Sequence, residues 1–228
     1  MYKYFKRGID IILSSIGIVV TSPILLIAGL AVKIEDPKSP IFFIQRRVGY
    51  KEKIFGIYKL RTMKVNEKTG VNEVTKVGKF LRSTSIDELP QLLNILKGEM
   101  SFLGPRPWIE DYSKYFNDEE RRRNDVLPGL SGLAQVRGRN GITIQQKLDA
   151  DIEYVDNFSF KMDMYILLKT VEIVLKRTNA SIKEATIQEE LQYLKEKQQK
   201  ELKEKETKKS KKEDKKEIKN KKQKSKKK

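Results

Sequence analysis

The hydrophobic pattern divides the chain into a long apolar segment, a middle region of mixed pattern and a C-terminal region with few apolar residues. No charged residue occurs from Ile11 to Val32, and as a helix this segment would be about 33 Å long, close to the thickness of a bilayer core. We therefore expect a membrane segment at residues 1–34, a folded domain at residues 35–183 and a largely disordered Lys/Glu-rich extension at residues 184–228.

Two features of the apolar segment argue against a straight helix across the membrane. Pro23, preceded by Ser22, cannot donate a backbone hydrogen bond and clashes with the carbonyl of Val19, which predicts a sharp bend. Both flanks are also basic, so the positive-inside rule places both ends in the cytoplasm. A re-entrant helical hairpin that enters and leaves one leaflet satisfies both observations, and a kinked single span remains the alternative.

The middle region begins with a predicted β-hairpin. Ile41–Gln45 and Ile54–Leu60 are rich in β-branched and aromatic residues, and the polar stretch between them contains Gly49. A stripe of leucines that begins at Leu89 then predicts a helix that ends near Gly98.

Helices account for most of the rest. We expect a polar helix over Asp118–Asn124, a turn-rich stretch over Pro128–Gly141 and two helices over Ile144–Asn157 and Lys161–Arg177. The last of these fits both a helix at the membrane interface and a helix in a core. The elements predict an α+β, mostly α fold, in which a small helical domain with a β-hairpin and interfacial helices follows the membrane hairpin.

Charge and composition narrow the chemistry. The 228 residues include 48 Lys+Arg and 31 Asp+Glu, a net charge of +17, of which +11 falls in residues 195–228. This charge favours anionic partners, and the basic tail is expected to contact anionic lipid headgroups. The chain has no Cys and no His, which excludes disulfides, thiolate and imidazole metal ligands and His-based catalytic triads.

Ser85, Asp87 and Glu88 precede the leucine stripe and fit two interpretations. As a capping box, Ser85 is the N-cap and Glu88 the N3 residue, and two carboxylates in a first helical turn are common. The neighbouring cations favour a site instead, because Arg82 lies just upstream and Arg106 is held between two prolines. An arginine fixed in this way can bind phosphate oxygens through two hydrogen bonds.

Two other groups are candidates for binding an anion. Lys59 and Arg61 share one face of the second predicted strand because of its two-residue period. Arg137, Arg139 and Asn140 lie in a glycine-rich stretch, which fits a ligand-binding loop and a plain loop equally well. Neither G-x-x-x-x-G-K-[ST] nor G-x-G-x-x-G occurs, so the standard phosphate-binding loops are absent from the sequence.

Four motifs occur in a fixed order: KLRTM at residues 59–63, LR with SIDELPQL at residues 81–92, MSFLGPRP at residues 100–107, and a stretch from PG to GRN at residues 128–140. With these motifs the sequence resembles the bacterial sugar transferases, and more specifically the small monotopic polyprenyl-phosphate phosphoglycosyl transferases. The resemblance runs from Met1 to about Lys183 and includes Ser22-Pro23, which in that family makes the re-entrant helix. Larger relatives carry further transmembrane helices, so we expect this chain to correspond to the minimal catalytic unit.

The resemblance implies transfer of a sugar 1-phosphate from a UDP-sugar to polyprenyl (undecaprenyl) phosphate, with release of UMP, as the first membrane step of bacterial glycoconjugate assembly. It implies a catalytic domain on the cytoplasmic face of the inner membrane. Asp87 is then the nucleophile that forms an aspartyl phosphosugar, Glu88 a base or orienting group, and Mg²⁺ the cofactor beside Asp87. The expected binding groups are Lys59, Arg61, Arg82 and Arg106 at the substrate phosphates and Arg137, Arg139 and Asn140 at the nucleotide.

A membrane-tethered binding protein is the competing hypothesis. Its basic tail would grip anionic lipid or nucleic acid, although the body lacks the basic stripes and interleaved aromatic residues of a nucleic-acid face, and we expect no nucleic-acid partner. Removal of residues 195–228 separates the two classes, because a binding module would lose its activity and a transferase would keep it.

Overall fold

The computed structural model describes residues 1–65, 70–138, 141–176, 189–204 and 207, and its fold is α+β and mostly helical, as predicted. The helices are α1 (Tyr2–Glu35), α2 (Lys76–Ser83), α3 (Gln91–Lys97), α4 (Glu110–Ser113), α5 (Asp118–Arg121), α6 (Leu133–Gly138), α7 (Ile144–Asp156), α8 (Phe160–Leu175) and a C-terminal helix at residues 189–204. The strands are β1 (Phe42–Val48), β2 (Ile54–Leu60), β3 (Met63–Val65), β4 (Asn72–Val74), β5 (Ser101–Leu103) and β6 (Gly129–Ser131). β1–β2 and β3–β4 pair antiparallel, whereas β5–β6 pair parallel.

Helix α1 continues through Pro23, so the chain does not leave helical geometry at the predicted break. Pro23 has no N–H to offer the carbonyl of Val19, but the Ser22 hydroxyl donates to that carbonyl at 2.8 Å. The serine therefore satisfies the group that the proline leaves free, which is why the helix tolerates proline at this position. The structure has one long helix here where the sequence predicted a hairpin of two.

One side of α1 packs along the rest of the protein over most of its length. Near its start, Arg7 donates to the carbonyls of Ile95 and Leu96 at 2.6 and 2.8 Å, at the end of α3. At its end, the Glu35 carboxylate accepts from the first two amides of α2 at 2.8 and 2.9 Å. The other side is apolar and exposed, and α1 has the length and composition of a membrane helix.

The predicted β-hairpin of β1 and β2 is confirmed, and its first strand extends to Val48. The buried side chain of Asn94 joins this hairpin to α3, because it accepts from the amide of Tyr58 at 3.0 Å and donates to the carbonyl of Gly56 at 2.8 Å. Phe55 and Ile57 pack with apolar residues of α3 in the same core cluster. The hairpin and α3 are thus joined beside the acidic turn that follows α2, which is where the candidate site lies.

The C-terminal half follows the prediction in part. Helices α5, α7 and α8 are confirmed, but the stretch expected to consist of turns contains β6 and α6. Parallel pairing of β6 with β5 is a long-range contact, which local turn residues do not reveal. Helix α8 fits both interpretations of its pattern, because Ile166 is buried in a core cluster while Leu168 and Leu175 are exposed.

Within the extension that is expected to be largely disordered, residues 189–204 form a helix. This helix buries Leu194 completely in a cluster with Tyr112, Phe116 and Leu148. Lys197 pairs with the buried carboxylate of Glu120. The Lys/Glu-rich composition includes a few apolar residues on one face of this helix, and these residues are buried only by packing against the folded domain.

Leu194→Ala should weaken the docking of the C-terminal helix by about 2–5 kcal/mol, because it leaves a cavity in a fully buried cluster. The rate of limited proteolysis within residues 189–204, together with the thermal unfolding midpoint, measures the effect. Leu202→Ala on the same helix is the matched control, since that side chain is 53% exposed. Equal protection of the two variants would contradict the docked arrangement.

Candidate active site

Asp87 and Glu88 lie in a single 3₁₀ turn, Ile86–Glu88, between α2 and α3. The predicted capping box is wrong, because Ser85 makes no capping hydrogen bond and α3 begins only at Gln91, after Pro90. Ser85 instead adopts a left-handed conformation with φ 57°, which is costly for a residue other than glycine. The carboxylates are therefore presented by a strained turn.

Glu88 is the centre of an ion-pair cluster. Its Oε1 atom accepts from Lys59 Nζ at 2.7 Å and from Arg106 Nη2 at 3.4 Å. Burial opposes ionisation of Glu88, but the charges of Arg106 and Lys59 outweigh it and lower the pKa to about 2. Glu88 is thus ionised at any physiological pH, and it holds Lys59 of β2 and Arg106 of the loop after β5 next to the turn.

Asp87 is buried beside this cluster but is not tied into it, and within the described ranges it forms no ion pair. Burial and the negative charge of Glu88 raise the pKa of Asp87, while the charges of Lys59 and Arg82 partly offset them. A carboxylate that is close to cations yet not bound by one keeps its oxygens available. It can act as a nucleophile or as a ligand for a cation.

Arg82 is placed at the site by the packing of α2 against the end of the hairpin. Its Nε donates to Thr62 Oγ1 at 2.9 Å. Gly78 permits this close approach, because a Cβ there would lie 2.1 Å from the carbonyl oxygen of Thr62. Gly78, the third residue of α2, therefore helps to position Arg82 although it lies outside the motif that contains the arginine.

The structure does not bring all the predicted binding residues together. Lys59 and Arg106 bind Glu88 in the acidic turn, and the charge of Arg82 acts on Asp87 to lower its pKa. Arg61 is directed elsewhere, because it lies beyond the end of β2 and its Nε donates to the carbonyl of Pro40 at 2.9 Å.

The residues predicted to bind the nucleotide are also not placed at the acidic turn by any described contact. Arg137 is engaged by Glu153, with both terminal nitrogens 2.6 Å from its carboxylate oxygens. Glu153 thus binds both terminal nitrogens of the Arg137 guanidinium, the group that was expected to bind the nucleotide. Arg139 and Asn140 lie outside the described residues.

Sequence reasoning missed Arg47, which lies on β1 and donates to the carbonyl of Pro107, next to Arg106. Burial, together with the charge of Arg106, lowers the pKa of Arg47 to about 10. The strand period could have separated it from Arg46, which is exposed, but no local pattern shows which of the two faces the domain.

A magnesium ion at this turn would depend on few protein ligands. Across the described part of the chain, no group of three or more carboxylates is arranged to hold a metal. Mg²⁺ is commonly bound by one or two carboxylates together with water and substrate phosphates, a set that the uncommitted oxygens of Asp87 fit. Glu88 is less suited, since its carboxylate already binds two cations.

Residues 1–177 match the model of a protein family described as bacterial sugar transferase. The matched region includes the acidic turn and the cations around it. The chain belongs to the bacterial sugar transferase family. The C-terminal helix lies beyond the matched region.

Several curated relatives are similar to this transferase. The uncharacterized sugar transferase EpsL of Bacillus subtilis is 42% identical over 176 residues, which are 75% of this chain and 87% of the relative. The UDP-glucose:undecaprenyl-phosphate glucose-1-phosphate transferase of Caulobacter vibrioides is 41% identical over 191 residues, 77% of this chain and 71% of the relative. A UDP-N-acetylgalactosamine-undecaprenyl-phosphate N-acetylgalactosaminephosphotransferase of Aeromonas hydrophila is 38% identical over 189 residues, 77% of this chain and 44% of that longer relative.

The acid limb of the transferase's pH–rate profile should report Asp87, since Glu88 stays ionised throughout. Glu88→Gln removes the negative charge that raises the pKa of Asp87, so the limb should move to lower pH. Lys59→Met removes a charge that lowers the same pKa, so the limb should move to higher pH. Initial rates between about pH 4 and pH 9 measure both shifts. Shifts of the same sign would contradict the assignment of the acid limb to Asp87.

Proposed function

We propose that the protein transfers a sugar 1-phosphate from a UDP-sugar to polyprenyl phosphate, in the form of undecaprenyl phosphate, and releases UMP. The observation that carries the proposal is the uncommitted, buried carboxylate of Asp87 beside Lys59 and Arg82. The names of the relatives from Caulobacter vibrioides and Aeromonas hydrophila support the two substrates.

The reaction proceeds in two displacements at one phosphorus atom. An Oδ atom of Asp87 attacks the phosphorus that bears the sugar, and the bond from this phosphorus to the bridging oxygen of the diphosphate breaks. UMP leaves with the bridging oxygen and its electron pair, and an aspartyl phosphosugar remains. An oxygen of the lipid phosphate then attacks the same phosphorus, which releases Asp87 and forms the polyprenyl-diphosphate sugar.

The cations around the turn lower the cost of bringing a carboxylate to a diphosphate. Arg106 is half-exposed next to Glu88, so its guanidinium can bind phosphate oxygens without leaving the cluster. Lys59 and Arg82 offset the repulsion between Asp87 and the substrate. Glu88 acts by orienting Lys59 and Arg106, and its low pKa makes it a poor proton acceptor.

Magnesium is the cofactor that this chemistry favours, and Asp87 is the residue that would hold it. When bound, the ion neutralises charge that builds up on the phosphate oxygens. The absence of His and Cys from the sequence agrees with a hard cation that takes oxygen ligands.

The protein is proposed to be monotopic, with the catalytic domain and the N-terminus on the cytoplasmic face of the inner membrane. Arg7 and Glu35 lie near opposite ends of α1, yet both bind helices of the same domain. A domain that holds both ends of the helix would have to enter the bilayer if α1 crossed it. A helix that is immersed in one leaflet, with its bare apolar side toward the lipid, avoids this cost.

The binding-protein alternative now requires a different test from the one that the sequence suggested. Removal of residues 195–228 would cut the docked helix and take away Lys197. Deletion after residue 207 keeps the described residues of that helix and removes most of the basic tail, whose contact with anionic lipid headgroups remains a prediction.

Incubation with a UDP-sugar but no lipid should release at most one equivalent of UMP and leave one phosphosugar on Asp87. A panel of UDP-sugars identifies the substrate, and intact-protein mass spectrometry after rapid quenching measures the adduct. Asp87→Asn should show neither product, because an amide cannot attack phosphorus. Asp111→Asn is the control at an exposed aspartate; UMP release only when the lipid is present, with no adduct, would contradict the covalent step.

A cysteine at position 4 should be protected from a membrane-impermeant thiol reagent in intact cells and labelled after permeabilisation. Tyr4 is 82% exposed, and the chain has no cysteine of its own, so single probes are clean. Lys114→Cys, in the folded domain, is the matched cytoplasmic control. Labelling of Tyr4→Cys from outside, while Lys114→Cys stays protected, would establish a kinked span instead.

A further inference from the structure

The loop that carries Arg106 is held by donors from outside the loop. Prolines on both sides of Arg106 supply no amide hydrogens, so the segment has few donors of its own. At its two ends, the carbonyl of Pro105 accepts from the amide of Gly129 at 2.9 Å, and the carbonyl of Trp108 accepts from the amide of Val48 at 3.0 Å. The loop is therefore tied to the start of β6 on one side and to β1 on the other.

The two carbonyls between these ends are held by arginine side chains. Arg123 Nη2 donates to the carbonyl of Arg106 at 2.6 Å, and Arg47 Nη1 donates to the carbonyl of Pro107 at 3.0 Å. Four consecutive carbonyls, from residue 105 to residue 108, thus accept from donors of three separate segments. The backbone at Arg106 is fixed before any substrate arrives.

Neither arginine is arranged to bind the substrate itself. Arg123 is 2% exposed, and its guanidinium lies 2.6 Å from Asp151 and over the ring of Trp108. Arg47 uses its other terminal nitrogen on the side chain of Gln45 at 2.5 Å, and its Nε is buried without a partner in the described part of the chain. Both guanidinium groups donate to carbonyls of the loop, and no hydrogen bond in the described part of the chain joins either of them to the acidic turn.

We propose that Arg47 is a positioning residue for the transfer, which, together with the buried donor Arg123, holds the backbone of the Arg106 loop so that the Arg106 side chain meets Glu88 and the substrate phosphate. The inference rests on the proposed function, in which Arg106 binds that phosphate. A binding group that is fixed in place loses little entropy when the substrate arrives, and a shift of about 1 Å can cost about 100-fold in rate.

A double-mutant cycle tests whether Arg47 acts through Arg106. Arg106→Ala should reduce the rate of UMP release by about 100-fold, as expected when one donor to the phosphate is lost. Arg47→Gln should reduce it substantially in the wild-type background but by about twofold or less in the Arg106→Ala background. Arg47→Lys, which keeps one charged donor for the carbonyl, should be intermediate.

Arg46→Gln is the matched control for this cycle. Arg46 is the preceding residue on the same strand, but its side chain is 72% exposed and pairs with Glu110 at the surface. It should leave the rate of UMP release unchanged, since exposed ion pairs contribute little.

Hydrogen exchange provides a readout that does not depend on activity. Amides of residues 101–112 should exchange faster in Arg47→Gln than in wild type or Arg46→Gln, while amides of α7 keep their protection, which shows that the variant is folded. Unchanged exchange in the loop, or equal losses of rate from Arg47→Gln in both backgrounds, would overturn the proposal. If wild-type protein releases no UMP from any UDP-sugar, the proposed function fails, and the exchange result alone decides whether Arg47 holds the loop.

Discussion

The arrangement of the site depends on the ion-pair cluster at Glu88. Lys59 comes from the hairpin, Arg106 from the loop after β5, and Glu88 from the turn between α2 and α3, so one carboxylate joins three distant parts of the chain. Two partly buried cations at close range would repel each other without it. Glu88 binds both cations, whereas Asp87, the adjacent residue, binds neither in the described part of the chain. Neighbouring carboxylates thus have pKa values shifted in opposite directions by their surroundings.

The long N-terminal helix is part of the same architecture and not merely an anchor. Its polar side carries Arg7 and Glu35 to the ends of α3 and α2, the two helices that bracket the acidic turn. A site built in this way is joined to a helix with an exposed apolar side, which suits the proposed transfer between a soluble nucleotide sugar and a lipid phosphate. The pairing of Ser22 with the carbonyl of Val19 shows how the helix accommodates a proline without losing its hydrogen bonding.

Several differences between the sequence interpretation and the structure share one physical origin. Local spacing fits a capping box at Ser85, yet Ser85 makes no capping bond and Glu88 binds Lys59 and Arg106, partners that the spacing does not contain. Arg61 was grouped with Lys59 by strand period, but its guanidinium donates to the carbonyl of Pro40, a partner that the period does not contain. The C-terminal helix appeared disordered because its charged residues outnumber the apolar ones, and only the cluster around Tyr112 and Phe116 gives Leu194 a place to be buried.

The sequence by itself determined the elements whose cause is local. The apolar segment, the hairpin, α7 and α8 follow from hydrophobic periodicity and turn residues, and the family motifs locate Asp87, Glu88 and Arg106. Tertiary structure decided which charges meet, because an ion pair across 18 or 29 residues depends on the path of the backbone between them. It also decided that Arg47 faces the Arg106 loop while Arg46 faces solvent. A strand's alternation fixes that neighbours point apart, and only the packing of β1 against the loop fixes which one points inward.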